Sequence, residues 1–165
     1  MKKLDSRQFS QEAHEALSSL IPILSALAQS KTEDSMRTRT PRPSVHEIDQ
    51  EKAKKLESYR KKSSGLVQGL PAYISTWGLH RLSGDAKKFL GGRSEDTQYK
   101  GKVYEVFLMR LKAFSHHDTF QPDDERSLLH LPLRDYTALN HLAMQLAKEW
   151  SFWASAVLGE AEDAS

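Results

Sequence analysis

Residues 136–157 read YTALNHLAMQLAKEWSFWASAV, and this stretch decides the fold class. Tyr136, Leu139, Ala143, Leu146, Trp150, Trp153 and Val157 recur at alternating spacings of three and four. At about 100° per residue an α-helix keeps such positions on one side, here over three heptads. Gly159 is a natural stop. Nowhere does the chain show sustained period-two alternation, a hairpin turn pair or an internal repeat, so no strand is expected. The expected fold is all-α, a compact helical bundle of six or seven helices in a single domain spanning 1–165.

Working outward, Ala13, Leu17, Leu20, Leu24 and Leu27 make a helical stripe over Ser10 to Ala28, with a kink or break expected from Pro22. Lys31 to Ser44 carries Pro41 and Pro43 with little to bury, and reads as a mobile linker. The expected organisation is therefore an N-terminal helix and flexible linker over 1–44, a bundle core over 45–158 and a disordered tail over 159–165. Ser44-Val45-His46-Glu47 is a capping box that opens a long charged helix through Lys62. Ser63-Ser64-Gly65 either interrupts that helix or is carried through it. Leu66, Leu70, Ile74 and Trp77 continue a helical spacing up to a bend at Gly78. Leu79 to Leu90 form a short helix ended by Gly91-Gly92. Beyond a polar loop from Arg93 to Gln98, Lys100 to Phe114 and Asp123 to His130 read as two further helices.

No apolar run approaches the roughly 20 residues a membrane-spanning helix needs. The opening Met1-Lys2-Lys3-Leu4-Asp5 gives no signal-peptide pattern. The absence of cysteine removes thiolate chemistry and cysteine-based metal sites, and suits a reducing cytoplasm. The formal net charge of +2 conceals an asymmetry. Between Lys52 and Lys112 there are 14 basic residues and five acidic ones, while acids outnumber bases in the rest of the chain. Such an excess, spread over several elements, points to a polyanion such as a nucleic-acid backbone. The candidate RNA-binding residues are Lys54, Lys55, Arg60, Lys61, Lys62, Arg81, Lys87, Lys88 and Arg93. Contacts of this type position a phosphate backbone without reading sequence.

Catalytic motifs are missing: there is no Walker loop, GxGxxG, HExxH or GxSxG. His116-His117-Asp118 is the one cluster resembling a site, but adjacent histidines in an extended loop point apart and no further ligand follows at helical spacing. It reads as a solvated loop. His80 and His141 read as boundary or surface positions. No catalytic residue, metal or cofactor is expected. Trp150 and Trp153 fall on the heptad seam and are expected in the core or in a subunit interface. Trp77, in a bend rimmed by His80 and Arg81, is expected to pack against the last helix, with stacking on a base as the alternative.

Residues 69–90 read GLPAYISTWGLHRLSGDAKKFL. Here the chain resembles the small subunit of the type III-B CRISPR effector, the Cmr complex. Leu70, Pro71, Ala72 and Ile74 match its Leu-Pro-Ala-x-Ile segment; Gly78, Leu79 and Phe89 match the Gly-Leu and the aromatic that follow. The lysine-rich stretch from Lys52 to Lys62 with Tyr59 is similar, as is the closing pattern of Tyr136, Thr137, Leu139, Ala143, Leu146, Ala147 and Trp150. Trp77 stands where the family more often has a small polar residue. The resemblance implies a non-catalytic helical bundle whose copies stack along an RNA-guided antiviral ribonucleoprotein beside its other subunits. There they line the groove that holds crRNA and target RNA. Other readings are the small subunit of the sister type III-A complex, another helical nucleic-acid-binding protein, or a protein–protein adaptor working through the Trp150–Trp153 face.

Overall fold

The computed structural model describes residues 5–162, and the expectations placed on the first four and last three residues lie outside them. Seven α-helices and no strand occur among the described residues, so the chain is an all-α bundle. In order they are α1 (Ser6–Arg37), α2 (Val45–Gln68), α3 (Leu70–Trp77), α4 (Leu79–Leu90), α5 (Glu95–Ser115), α6 (Glu125–Leu129) and α7 (Leu133–Leu158).

α1 is longer than its sequence pattern predicts at both ends, and it runs through Pro22 without a break. Its buried face continues past Leu17, Leu20 and Leu24 to Ala28, Thr32 and Met36 at four-residue steps, while Pro22 lies on the exposed side. The burial of that face offsets the backbone hydrogen bond that proline removes. Thr32 is buried because its hydroxyl donates to the Ala28 carbonyl at 2.8 Å, so the stripe crosses a polar residue at no cost in unmet polarity. The segment read as a linker from Lys31 is therefore helical to Arg37; only the turn before Ser44 is irregular. The division between an N-terminal arm and a core starting at residue 45 is not kept either, since Ala13, Ala16, Leu17 and Leu20 belong to the main core.

α2 begins on the expected capping box, with Ser44 Oγ accepting from the Glu47 amide and Glu47 Oε2 accepting from the Ser44 amide. It is carried through Ser63-Ser64-Gly65, whose two serines are fully buried. Small residues there let α2 and α7 approach, and Gln68 joins them by donating to Ser155 Oγ at 3.2 Å. Residues 159–162 leave α7 without helix, and Ala161 lies against the Gly65 position.

α5 is the central helix, packed by α1, α2, α4 and α7. Its Val103, Tyr104, Val106, Phe107, Leu108 and Leu111 are buried, and Phe107 meets Trp150 of α7 edge-on at 5.1 Å. α4 crosses α5 at Gly101, where an added Cβ would lie 2.8 Å from the Leu90 backbone nitrogen. A second, smaller cluster of Leu24, Ala28, Tyr59 and Tyr99 ties α1, α2 and α5 together.

Candidate nucleic-acid interface

The cationic run Arg60-Lys61-Lys62 lies near the end of α2, where successive side chains diverge by about 100°. Arg60 turns toward α7: its Nη2 donates to the Val157 carbonyl at 3.2 Å, a favourable place for a cation at a helix C-terminus. Lys61 pairs with Glu57 one turn back on the same helix, at 3.0 Å. Lys62 turns the other way and bonds Asp96 in the first turn of α5 at 3.1 Å, which holds its ammonium above the usual lysine value. The three residues do not form one face.

The other candidates divide in the same manner. Lys87 at the end of α4 pairs with Glu125 of α6 at 2.7 Å. Arg81 lies over the Trp77 ring, 5.0 Å from its centroid. Lys55 is half-buried on the side of α2 that carries Lys62, seven positions on. Lys54, Lys88 and Arg93 are exposed and make no ion pair among the described residues. The Lys62–Asp96 bond brings the end of α2 to the start of α5, three positions beyond Arg93. The structure thus brings Lys62 to the corner that holds Arg93, and Arg81 to Trp77, but it does not gather the nine residues into one patch.

Outside the nine, Lys102 pairs with Glu105, Arg110 with Glu12, and Lys112 donates to the carbonyls of His117 and Asp118. Much of the positive excess is therefore spent on contacts between helices and on closing a loop. Exposed pairs of this kind contribute about 0–1 kcal/mol each. They leave net charge unchanged over the segment, but they lower the number of cations free to meet phosphate.

Three arginines outside that segment were not singled out by charge counting. Arg37, Arg39 and Arg42 line an open groove of about 790 Å³ at the α1–α2 corner, with Arg39 bonded to Glu51 at 3.2 Å. Their signal in the sequence is three arginines within six positions, masked by the neighbouring prolines that suggested a linker.

The core place expected of Trp150 holds, whereas the Trp150–Trp153 docking face and the packing expected of Trp77 do not. Trp150 is fully buried against Phe107, so it cannot present a docking face together with Trp153, which is half-buried and edge-on to His14 at 5.6 Å. Trp77 does not pack into the core: it is 52% exposed and lies outside both apolar clusters. The histidine loop is structural in its visible bonds. His116 adopts a left-handed backbone (φ 52°) at the end of α5, and Lys112 fastens the two carbonyls that follow it.

α3, α4 and α7 meet at Gly78. Gly78 turns the chain with φ 80° and ψ 162°, a conformation essentially confined to glycine. A Cβ there would stand 2.7 Å from the Tyr136 hydroxyl, which itself bonds His80 Nδ1 at 2.7 Å. Because Gly78 has no side chain to cap α4, Asn140 of α7 supplies the acceptor: its Oδ1 takes the Leu79 amide at 2.9 Å.

The chain matches no family model, no curated protein and no solved structure.

Proposed function

We propose that the chain is a non-catalytic small structural subunit of a type III CRISPR RNA-guided effector complex, of the type III-B kind. It rides on the backbone of a crRNA–target RNA duplex in the cytoplasm, stacks with copies of itself and docks on the other subunits. The observation that carries this reading is the α3–α4–α7 junction. The residues of the resemblance come from two blocks far apart in the chain, Leu70 to Leu79 and Tyr136 to Trp150. They interlock through Gly78, Tyr136, Leu79 and the Asn140 cap. That the two blocks form one physical unit supports reading them as one inherited pattern. Exposed Lys54, Lys88 and Arg93, with Arg37 and Arg42 of the α1–α2 corner, supply the cations for phosphate.

Five phosphate contacts would make log affinity for an RNA duplex fall with log salt at a slope of about −3.5 to −4.5. Affinity that ignored salt between about 50 and 200 mM would remove the nucleic-acid reading. Because Arg60 and Lys62 also hold helices together, the informative variant replaces Lys54, Lys88 and Arg93 together by Ala. It should weaken duplex binding by roughly 10-fold across unrelated sequences and flatten the salt slope by about 2 to 3, with helicity retained. Unchanged affinity would show that these three cations are not the phosphate contacts. Tagged full-length protein should co-purify a guide RNA and larger effector subunits from cells that carry them.

A further inference from the structure

Trp77 ends α3 at a sharp backbone bend and leaves its indole open to a planar partner. Within the chain, one face is covered by the Arg81 guanidinium at 5.0 Å, while the residue as a whole stays 52% exposed. Arg81 opens a stripe along α4. Gly84 and Lys88 follow at three and seven positions, which places all three on one side of the helix. Lys88 sits two turns beyond Arg81, about 10 Å along the axis, and makes no ion pair among the described residues. Between them Gly84 leaves the backbone bare: a Cβ there would meet nothing within 4 Å. Asp85, the one acid on this side of α4, is engaged by the Tyr73 hydroxyl of α3, which donates to its carboxylate. An aromatic platform, a planar cation stacked on it, an open helix surface and a second cation therefore lie in a row.

We propose that Trp77, Arg81, Gly84 and Lys88 form a site for an unpaired nucleotide of RNA, its base stacked on the free indole face and its flanking phosphates met by Arg81 and Lys88. The chemistry fits a nucleotide better than an apolar peptide. Base–aromatic stacking tolerates any base, arginine on the far side strengthens it, and two cations stand on one side of α4. A protein helix would instead ask for an apolar groove beside Trp77, and this stripe continues through a glycine and a lysine. The site goes beyond the duplex-backbone contacts of the proposed function, because in a continuous duplex every base is already stacked within the helix.

The test compares three probes on full-length protein: a perfect RNA duplex, the same duplex with one bulged nucleotide, and a short single-stranded oligoadenylate. Trp77 is the exposed one of the three tryptophans, so single-stranded RNA should quench its emission, and Trp77→Phe should remove most of that quench. Trp77→Ala should weaken oligoadenylate and bulged-duplex binding by about 5- to 100-fold, the loss expected for one base stack, and perfect-duplex binding by less than about 2-fold. Gly84→Glu fills open space, so it should fold, and by adding a second carboxylate beside Asp85 it should weaken the same two probes strongly and the perfect duplex, through Lys88, by less. Wild-type affinity for oligoadenylate in both variants, or no quench on adding it, overturns the site. If the site fails while the Lys54, Lys88 and Arg93 triple variant still loses duplex binding, the duplex reading stands alone. If Trp77→Ala weakens all three probes alike, the residue acts through the fold and the nucleotide site is likewise overturned.

Discussion

Gly78 shows how one residue can be held by the backbone and by a neighbour at once. It is fixed by two independent constraints, a backbone angle of φ 80° and the Tyr136 hydroxyl where a Cβ would stand. Gly78→Ala should cost about 3 kcal/mol, combining strain at a glycine-only conformation with a contact that must give way. A urea denaturation midpoint measures it. Adding Tyr136→Phe should recover only the steric part, because the backbone strain stays and His80 loses its partner. The bend itself was legible in the sequence, as a glycine between two helical patterns. Its tightness was not, because the hydroxyl that forbids a side chain arrives from α7. Thr32 makes the opposite point: a polar residue that reads as exposed is buried, because its hydroxyl finds an acceptor on its own helix.

Within elements, the caps and stripes that lie in one stretch of chain were readable. The Ser44–Glu47 box, the stop at Gly159 and the seam of α7 through Trp150 all follow from local spacing and appear as expected. What failed was the length of α1, because proline and the polar run after Ala28 weigh against helix locally while tertiary burial outweighs them. The start of α5 failed too: it begins at Glu95 on a Ser94 cap, inside the stretch read as a loop. α4 offers a clean test of the balance between local propensity and packing. Gly84 lies in its interior with open space beyond the Cα. Gly84→Ala should therefore raise stability by about 0.5–1 kcal/mol, by reducing the freedom of the unfolded chain at no steric cost. Thermal unfolding followed by far-ultraviolet circular dichroism reads this directly. A loss of stability would mean that the surface of α4 is not open.

Across the whole molecule, burial of phenols gives the stability a pH signature. Burial pushes Tyr104 up to about 12. It also raises Tyr73, with its bond to Asp85 adding to the effect, and raises Tyr99. Each of these groups has a folded value above its ordinary value of about 10, so the fold favours the neutral phenol. The contribution of all three is complete below pH 10 and falls as pH rises above it; for Tyr104 it is lost between pH 10 and about 12. Alkaline titration followed by phenolate absorbance should show these tyrosines ionising together with loss of helicity rather than before it. Tyr104→Phe should flatten the decline in stability between pH 10 and 12. A phenolate signal at pH 10 that Tyr104→Phe removes, with full helicity, would show that the Tyr104 ring is not sealed.

The basic middle segment divides most sharply between the two levels of description. By itself the sequence determined the helical class, the ends and seam of the last helix, the capping box and the local excess of cations. These depend on residue type and near-neighbour spacing, which a linear string records. Only the tertiary structure decided which cations are spent. Arg60 on Val157, Lys62 on Asp96 and Lys87 on Glu125 are contacts between helices, set by how rigid rods cross. It likewise decided that Trp150 is sealed while Trp77 is open. Spacing assigns a side chain to a face of its own helix, but the neighbour that covers that face comes from elsewhere in the chain. Burial and charge pairing therefore belong to the packing of helices and not to any one of them.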